Sequence, residues 1–225
     1  ISTAHPFGTD LLGRDVLRMS LYAARVSLVV GIASASLSAL LGLALGATAA
    51  YAGGLADALV CRLVDAALAI PAFFVLVAIQ AVLGPGVANV VVVISLVSWM
   101  ATARVMRALV LSLRESDFVV AARGLGGSGA RIVLVHILPA LLRPAATLFA
   151  LAAADALLME SALSFLGLGV PPTQPSWGNM LSSAEAGILS GVWWLAVFPG
   201  GLIVATALSI NLLADSLRSP LARSF

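Results

Sequence analysis

Lysine is absent from this 225-residue chain, so all 12 basic side chains are arginine, and they stand against 10 acidic ones for a net charge of +2. Charged residues make up only 10% of the sequence. So small a charge excludes the basic footprint of a nucleic-acid-binding domain, and no DNA or RNA partner is expected. The single cysteine, Cys61, can form no internal disulfide. With no CxxC pair or histidine cluster beside it, it reads as a small buried apolar residue. The two histidines, His5 and His136, are too far apart in topology to share a metal. No GxxxxGK[ST] run occurs, so no glycine loop is prepared to cradle nucleotide phosphates at a helix N-terminus. The chain is therefore expected to carry no cofactor and no catalytic site of its own. A signal-peptide pattern is also missing, and the first residue is Ile1.

What is abundant is apolar. Hydrophobic residues make up 61% of the chain and the mean hydropathy is +1.12, which marks an integral membrane protein. Five stretches reach the ~20 helical residues needed to cross ~30 Å of hydrocarbon. They lie near Val26–Ala50, Val60–Leu83, Val87–Val110, Ile137–Ser164 and Val192–Leu213. Apolar runs without two-residue alternation read as helices rather than barrel strands, so the fold class is all-α, a polytopic membrane helix bundle. Pro71 is placed to kink the second span. The connections LGPGVAN and GLGVPPTQPSWGN are both uncharged and proline-broken, and both belong on one membrane side.

Arginines flanking spans concentrate on the cytoplasmic side. Arg62, Arg104, Arg107, Arg114, Arg123, Arg131, Arg143, Arg218 and Arg223 fall on one side, and only Arg14, Arg18 and Arg25 on the other. Residues 1–25 are thus expected outside, 26–214 as the membrane domain with a cytoplasmic loop at 112–138, and 215–225 as a cytoplasmic tail. An odd number of spans then calls for a sixth, N-terminal helix ahead of Ile1. The segment GTDLLGRDVL, capped by Thr9 or Asp10, is expected to lie on the outer membrane surface as an amphipathic piece.

The cytoplasmic loop has its own local pattern. Ser116 and Asp117 suit an N-cap, and Phe118 to Arg123 form a short helix. Gly124, Gly126, Gly127 and Gly129 end it before Ala130 to His136 lead into the next span. Such a stub presents Phe118, Val119, Ala121, Ala122 and Leu125 to a pocket on another protein; the bland alternative is a solvated surface loop. Ionisable groups at membrane depth default to functional hypotheses. Asp155 reads as a pore-lining candidate, and Glu160 as either a structural partner or a translocation-path residue. Five positions apart, they sit about 140° from one another round a helix and form no single metal site. Asp65 is expected to pair with Arg62, Gly31, Gly42 and Gly46 to allow close helix packing, and Trp177, Trp193 and Trp194 to anchor at the headgroups.

The run Ala121-Ala122, then Gly126, then Ile137-Leu138-Pro139 resembles the EAA loop of permease subunits of bacterial ABC importers. HPFGTDLLGRDVL, RLVDAALAIP, LGPGVANV, SFLGLGVPPTQPSWGNML and FPG with NLLADSLR resemble the C-type permease of the dipeptide/oligopeptide branch. The resemblance covers Pro6 to Arg218. It implies the type I ABC importer permease fold in a bacterial inner membrane and ATP-driven uptake of peptides. ATP and Mg would be bound by two partner ATP-binding domains, beside a second homologous permease and an extracytoplasmic substrate-binding protein. It also implies that Phe118, Val119, Val120, Ala121, Ala122, Arg123, Gly124, Leu125 and Gly126 dock on an ATPase. Val120 replaces the acidic residue usual in that loop, which removes an ion pair. Related permeases carry nickel chelates, glutathione or haem, and these remain alternative cargoes. An ion-coupled secondary transporter would show an inverted repeat, which the two halves lack.

Overall fold

The computed structural model describes residues 3, 5–189 and 191–218, which are helical apart from short connections; an isolated bridge between Thr9 and Asp15 is the one β feature among them. In chain order the helices are α1 (Val16–Ala52), α2 (Gly54–Leu68), α3 (Ala72–Leu83), α4 (Val87–Arg114), α5 (Asp117–Gly124), α6 (Gly129–Arg131), α7 (Leu138–Phe165), α8 (Trp177–Leu189) and α9 (Trp194–Arg218), with a π-helical segment, Ile132–Ile137, leading into α7. Four helical spans are long and apolar enough to cross a membrane, and five when α2 and α3, bent by 87° to one another, are counted together as one broken span. The expected second span is therefore not one continuous helix. The rest of the expected tail, including Arg223, lies outside the described residues.

Helix α1 is the central post. Its N-cap is Asp15, whose carboxylate accepts from Arg18 N at 3.0 Å. His5 Nδ1 donates to the other oxygen of Asp15 at 2.7 Å. That bond, and then the one from Arg18, hold the Asp15 carboxyl below its ordinary range. The amphipathic surface piece expected here is not formed. Asp10 instead caps a turn, accepting from Leu12 N and Arg14 N, and Val16 already belongs to α1 and is fully buried. The buried face of α1 is a stripe of Ser, Ala and Gly at three- and four-residue spacing. It exists because two backbones pass against it. A Cβ on Gly46 would lie 2.5 Å from Ala103 O, one on Gly42 2.6 Å from Thr102 Cβ, and one on Gly31 3.4 Å from Ala153 O. Small residues thus let α4 and α7 approach α1 closely, as apolar solvent requires of packed membrane helices.

Three apolar clusters stack along the bundle. Met106, Val110, Val119, Ile132, Ile137 and Leu141 fill the Arg-rich end. Val30, Leu76, Val93, Ile94 and Leu163 fill the middle, and Val16, Leu157, Trp177, Met180 and Leu195 the loop end. There Gly86 N donates to Gly169 O at 3.0 Å, so the two proline-broken connections do share one side. Trp177 is not a headgroup anchor: it is 3% exposed, and its Nε1 donates to Ser20 O at 3.0 Å. Trp193 is exposed, while Trp194 donates to Thr9 O at 2.9 Å. Helix α8 was not anticipated by the hydropathy pattern.

Helix α2 is held differently from the rest, with Val64 its one buried residue. Arg107 of α4 grips Asp57 through two bonds, at 2.6 and 2.7 Å, and Arg104 pairs with Asp65. The expected Arg62–Asp65 pair gives way to this one because Asp65 is turned towards α4. Cys61 is half-buried rather than buried. It lines a cleft of about 250 Å³ with Arg104 and Arg107, and its Sγ contacts Asp65 Oδ2 at 3.5 Å.

Candidate functional site

The Arg-rich end carries the candidate docking element. Helix α4 stops at Arg114, and Ser116 takes extended dihedrals ahead of α5. Its hydroxyl turns back to donate to Leu113 O, leaving Asp117 as the acidic group of the first turn, where the helix dipole favours it. α5 is eight residues long, about 12 Å. Val119 pins it: at 0% exposure it enters the cluster with Met106, Val110 and Ile132. Val119 is therefore an anchor and not part of the exposed face expected from the sequence. Ala122 is half-buried against the same cluster. Phe118, Val120, Ala121, Arg123, Gly124 and Leu125 point outward, Leu125 at 89% exposure.

Glycine closes the helix for stated reasons. Leu125 N and Gly127 N donate to Ala121 O and Ala122 O, each at 3.0 Å. Gly126 between them has φ +81°, a left-handed conformation that side chains resist. A Cβ on Gly127 would lie 2.7 Å from Ala122 O. Ser128, which sequence reasoning passed over, caps the next turn by accepting from Arg131 N. Gly129 lies against the Tyr51 ring at the end of α1. Leu138 N bonds to Val133 O, five residues back. That wider π turn suits a chain about to place Pro139, which has no N–H, in the first turn of α7. α5 thus rests on α4 and on the π-helical segment that leads into α7.

Asp155 and Glu160 are not brought together. Asp155 is exposed on the side of α7. Glu160 is 0% exposed inside the bundle. Ser161 Oγ lies 3.5 Å from its Oε2; Ser164 Oγ donates to its Oε1 at 2.8 Å, and the hydroxyls of Ser27 and Ser176 lie near its carboxyl. Those of Ser164, Ser27 and Ser176 in turn each accept a backbone N–H, from Val170, Trp177 and Asn179 respectively. Scattered over 150 positions, these serines gave no sequence signal. At the loop end a cavity of about 520 Å³ opens between the N-terminal turn and the connection before α8, with Asp10, Arg14, Tyr22, Gln174 and Asn179 in its wall. No group of three metal-ligating side chains occurs among the described residues.

Membrane-length helices around a small-residue post, with a protruding stub at the Arg-rich end, define a multi-pass membrane protein. Residues 40–224 match the family described as binding-protein-dependent transport system inner membrane component, and the chain belongs to that family. A protein of Brucella suis biovar 1 (strain 1330), provisionally named a peptide permease, is 42% identical over 218 residues, covering 96% of this chain and 72% of its own length. The di/tripeptide transport system permease protein DppC of Pseudomonas aeruginosa (strain UCBPP-PA14) is 41% identical over 214 residues, 95% of this chain and 70% of that protein. The chain is thus a multi-pass inner-membrane permease subunit of an ABC importer.

Proposed function

We propose that this chain is one of two permease subunits through which a bacterial importer moves peptides, without chemistry of its own. Cargo is delivered by an extracytoplasmic binding protein to the loop end, and two ATP-binding domains drive the cycle from the Arg-rich, cytoplasmic end. The observation that carries the reading is α5: an eight-residue helix pinned by Val119, with Phe118, Val120 and Leu125 exposed among the described residues. A short apolar helix seated in a partner's groove transmits displacement without any bond being made. Val120 in place of an acid leaves that seat to apolar contact. Asp155, exposed on a membrane-depth helix face, belongs on the translocation path, because lipid is an expensive neighbour for a carboxyl. Glu160 is a structural residue.

The test is a cysteine at Leu125 in the assembled transporter, with Cys61→Ala to remove the native thiol. A bifunctional maleimide is expected to join it to an ATP-binding subunit, and ATP alone, with a proton ionophore present, to sustain peptide uptake into vesicles. Crosslinks that never reach that subunit, or uptake abolished by the ionophore, refute the assignment.

A further inference from the structure

We propose that the break between α2 and α3 forms part of the wall of the translocation pathway, and that its free carbonyl oxygens accept hydrogen bonds from the main-chain N–H groups of a passing peptide. The inference rests on the peptide-import reading above. Helix α3 has 12 residues, about 18 Å, and stops short of the ~30 Å of hydrocarbon. Its junction with α2 therefore lies inside the membrane, where the chain turns by 87°. The backbone bonds at the turn run from Ala69 N to Asp65 O, Ile70 N to Ala67 O and Phe74 N to Pro71 O. None of them uses the carbonyls of Leu68, Ala69 or Ile70. Pro71 has no N–H to give, and no side chain caps the start of α3.

Residues 68–71 are all exposed, Leu68 at 37% and Ile70 at 54%, so the turn lies at the surface of the described chain. Uncovered irregular backbone does not face lipid; at membrane depth it is tolerated against protein or water. A second feature beside it favours water. Asp65, one turn earlier, and its partner Arg104 have side chains 57% and 55% exposed, and an open ion pair is as unwelcome in hydrocarbon as a bare carbonyl. The end of α2 also carries the negative pole of its dipole, so the groups it attracts are donors. Amide N–H groups and the α-ammonium are common to all peptides whatever their side chains, which suits a passage that must accept many sequences.

The test uses the whole transporter in proteoliposomes, with its second permease, ATP-binding subunits and binding protein, carrying Cys61→Ala and Ala69→Cys. A charged, water-soluble methanethiosulfonate is expected to label residue 69, and trialanine turning over with ATP to slow labelling at least fivefold. Labelling by membrane-soluble maleimide alone, or none, overturns the pathway assignment. Labelling without trialanine protection or uptake overturns the peptide reading and leaves the wall assignment in place. Pro71→Ala returns an N–H and lets the helix run on through the turn, occupying the carbonyls. It is expected to co-purify with its partners yet take up trialanine at least tenfold more slowly. Uptake at the wild-type rate removes the carbonyls from recognition.

Discussion

Glu160 has a carboxyl group shut away from solvent with no cation within ion-pair reach among the described residues. It is tolerated because serine hydroxyls replace the water it lost, and those of Ser164, Ser27 and Ser176 each also take a backbone N–H from the loop or from α8. One side chain thereby ties α1, α7, the connection after α7 and α8 together. Glu160→Ala strands those hydroxyls without an acceptor and is expected to cost about 3 kcal/mol, seen as a lower melting temperature in detergent; Glu160→Gln, which keeps one carbonyl oxygen, should cost less. Melting at the wild-type temperature with transport lost would return Glu160 to the pathway. The acid itself stands out in the sequence as a charge in an apolar run. Its role does not, because Ser27 and Ser176 reach it only once α1 and α8 are folded against α7. Trp177 was misread for the same reason: an indole beside a proline-rich loop suggests a membrane interface, and only packing against Ser20 makes it core.

At the scale of the element, α2 depends on two arginines of α4 where other helices depend on buried area. Asp57→Arg is expected to loosen it and speed alkylation of the neighbouring Cys61 roughly tenfold, for a pair part-way between exposed and buried. The exchange Asp57→Arg with Arg107→Asp should bring the rate most of the way back. Equal rates in the wild type and the single variant would mean that α2 is secured by something else. The spans themselves were legible because hydropathy reports the one property the bilayer demands. Their ends were not: α1 begins at Val16, ten residues before its apolar run does, and α4 continues to Arg114, since a helix goes on past the hydrocarbon wherever caps and packing support it. The proline turn after α2 was readable as a kink, but its 87° angle was not. Helix α8 was hidden by its length and its polar side chains.

For the molecule as a whole, the short helix α5 was the most legible part, because glycines, a cap and flanking apolar runs all act within a few residues of one another. What sequence could not say was which side of α5 faces in, since Val119 is chosen by Met106, Val110 and Ile132, two of them from a different helix and one from beyond the turn. A Cβ on Gly126 would meet no neighbour within 4 Å, but Gly126→Trp must adopt φ +81°, a strain of about 1–2 kcal/mol. It is expected to leave the complex assembled, lower peptide uptake at least tenfold and raise the ATP consumed per peptide. Unaltered stoichiometry would detach the stub from energy transfer. Finally, α1 runs for 37 residues without a proline, about 55 Å, from Met19 and Tyr22 in the wall of the loop-end cavity to Tyr51 beneath Gly129. On the function proposed above, a stiff bar of that length turns a tilt of about 5° into a sweep of about 5 Å, which would carry a displacement at the loop-end cavity through to the end that holds α5.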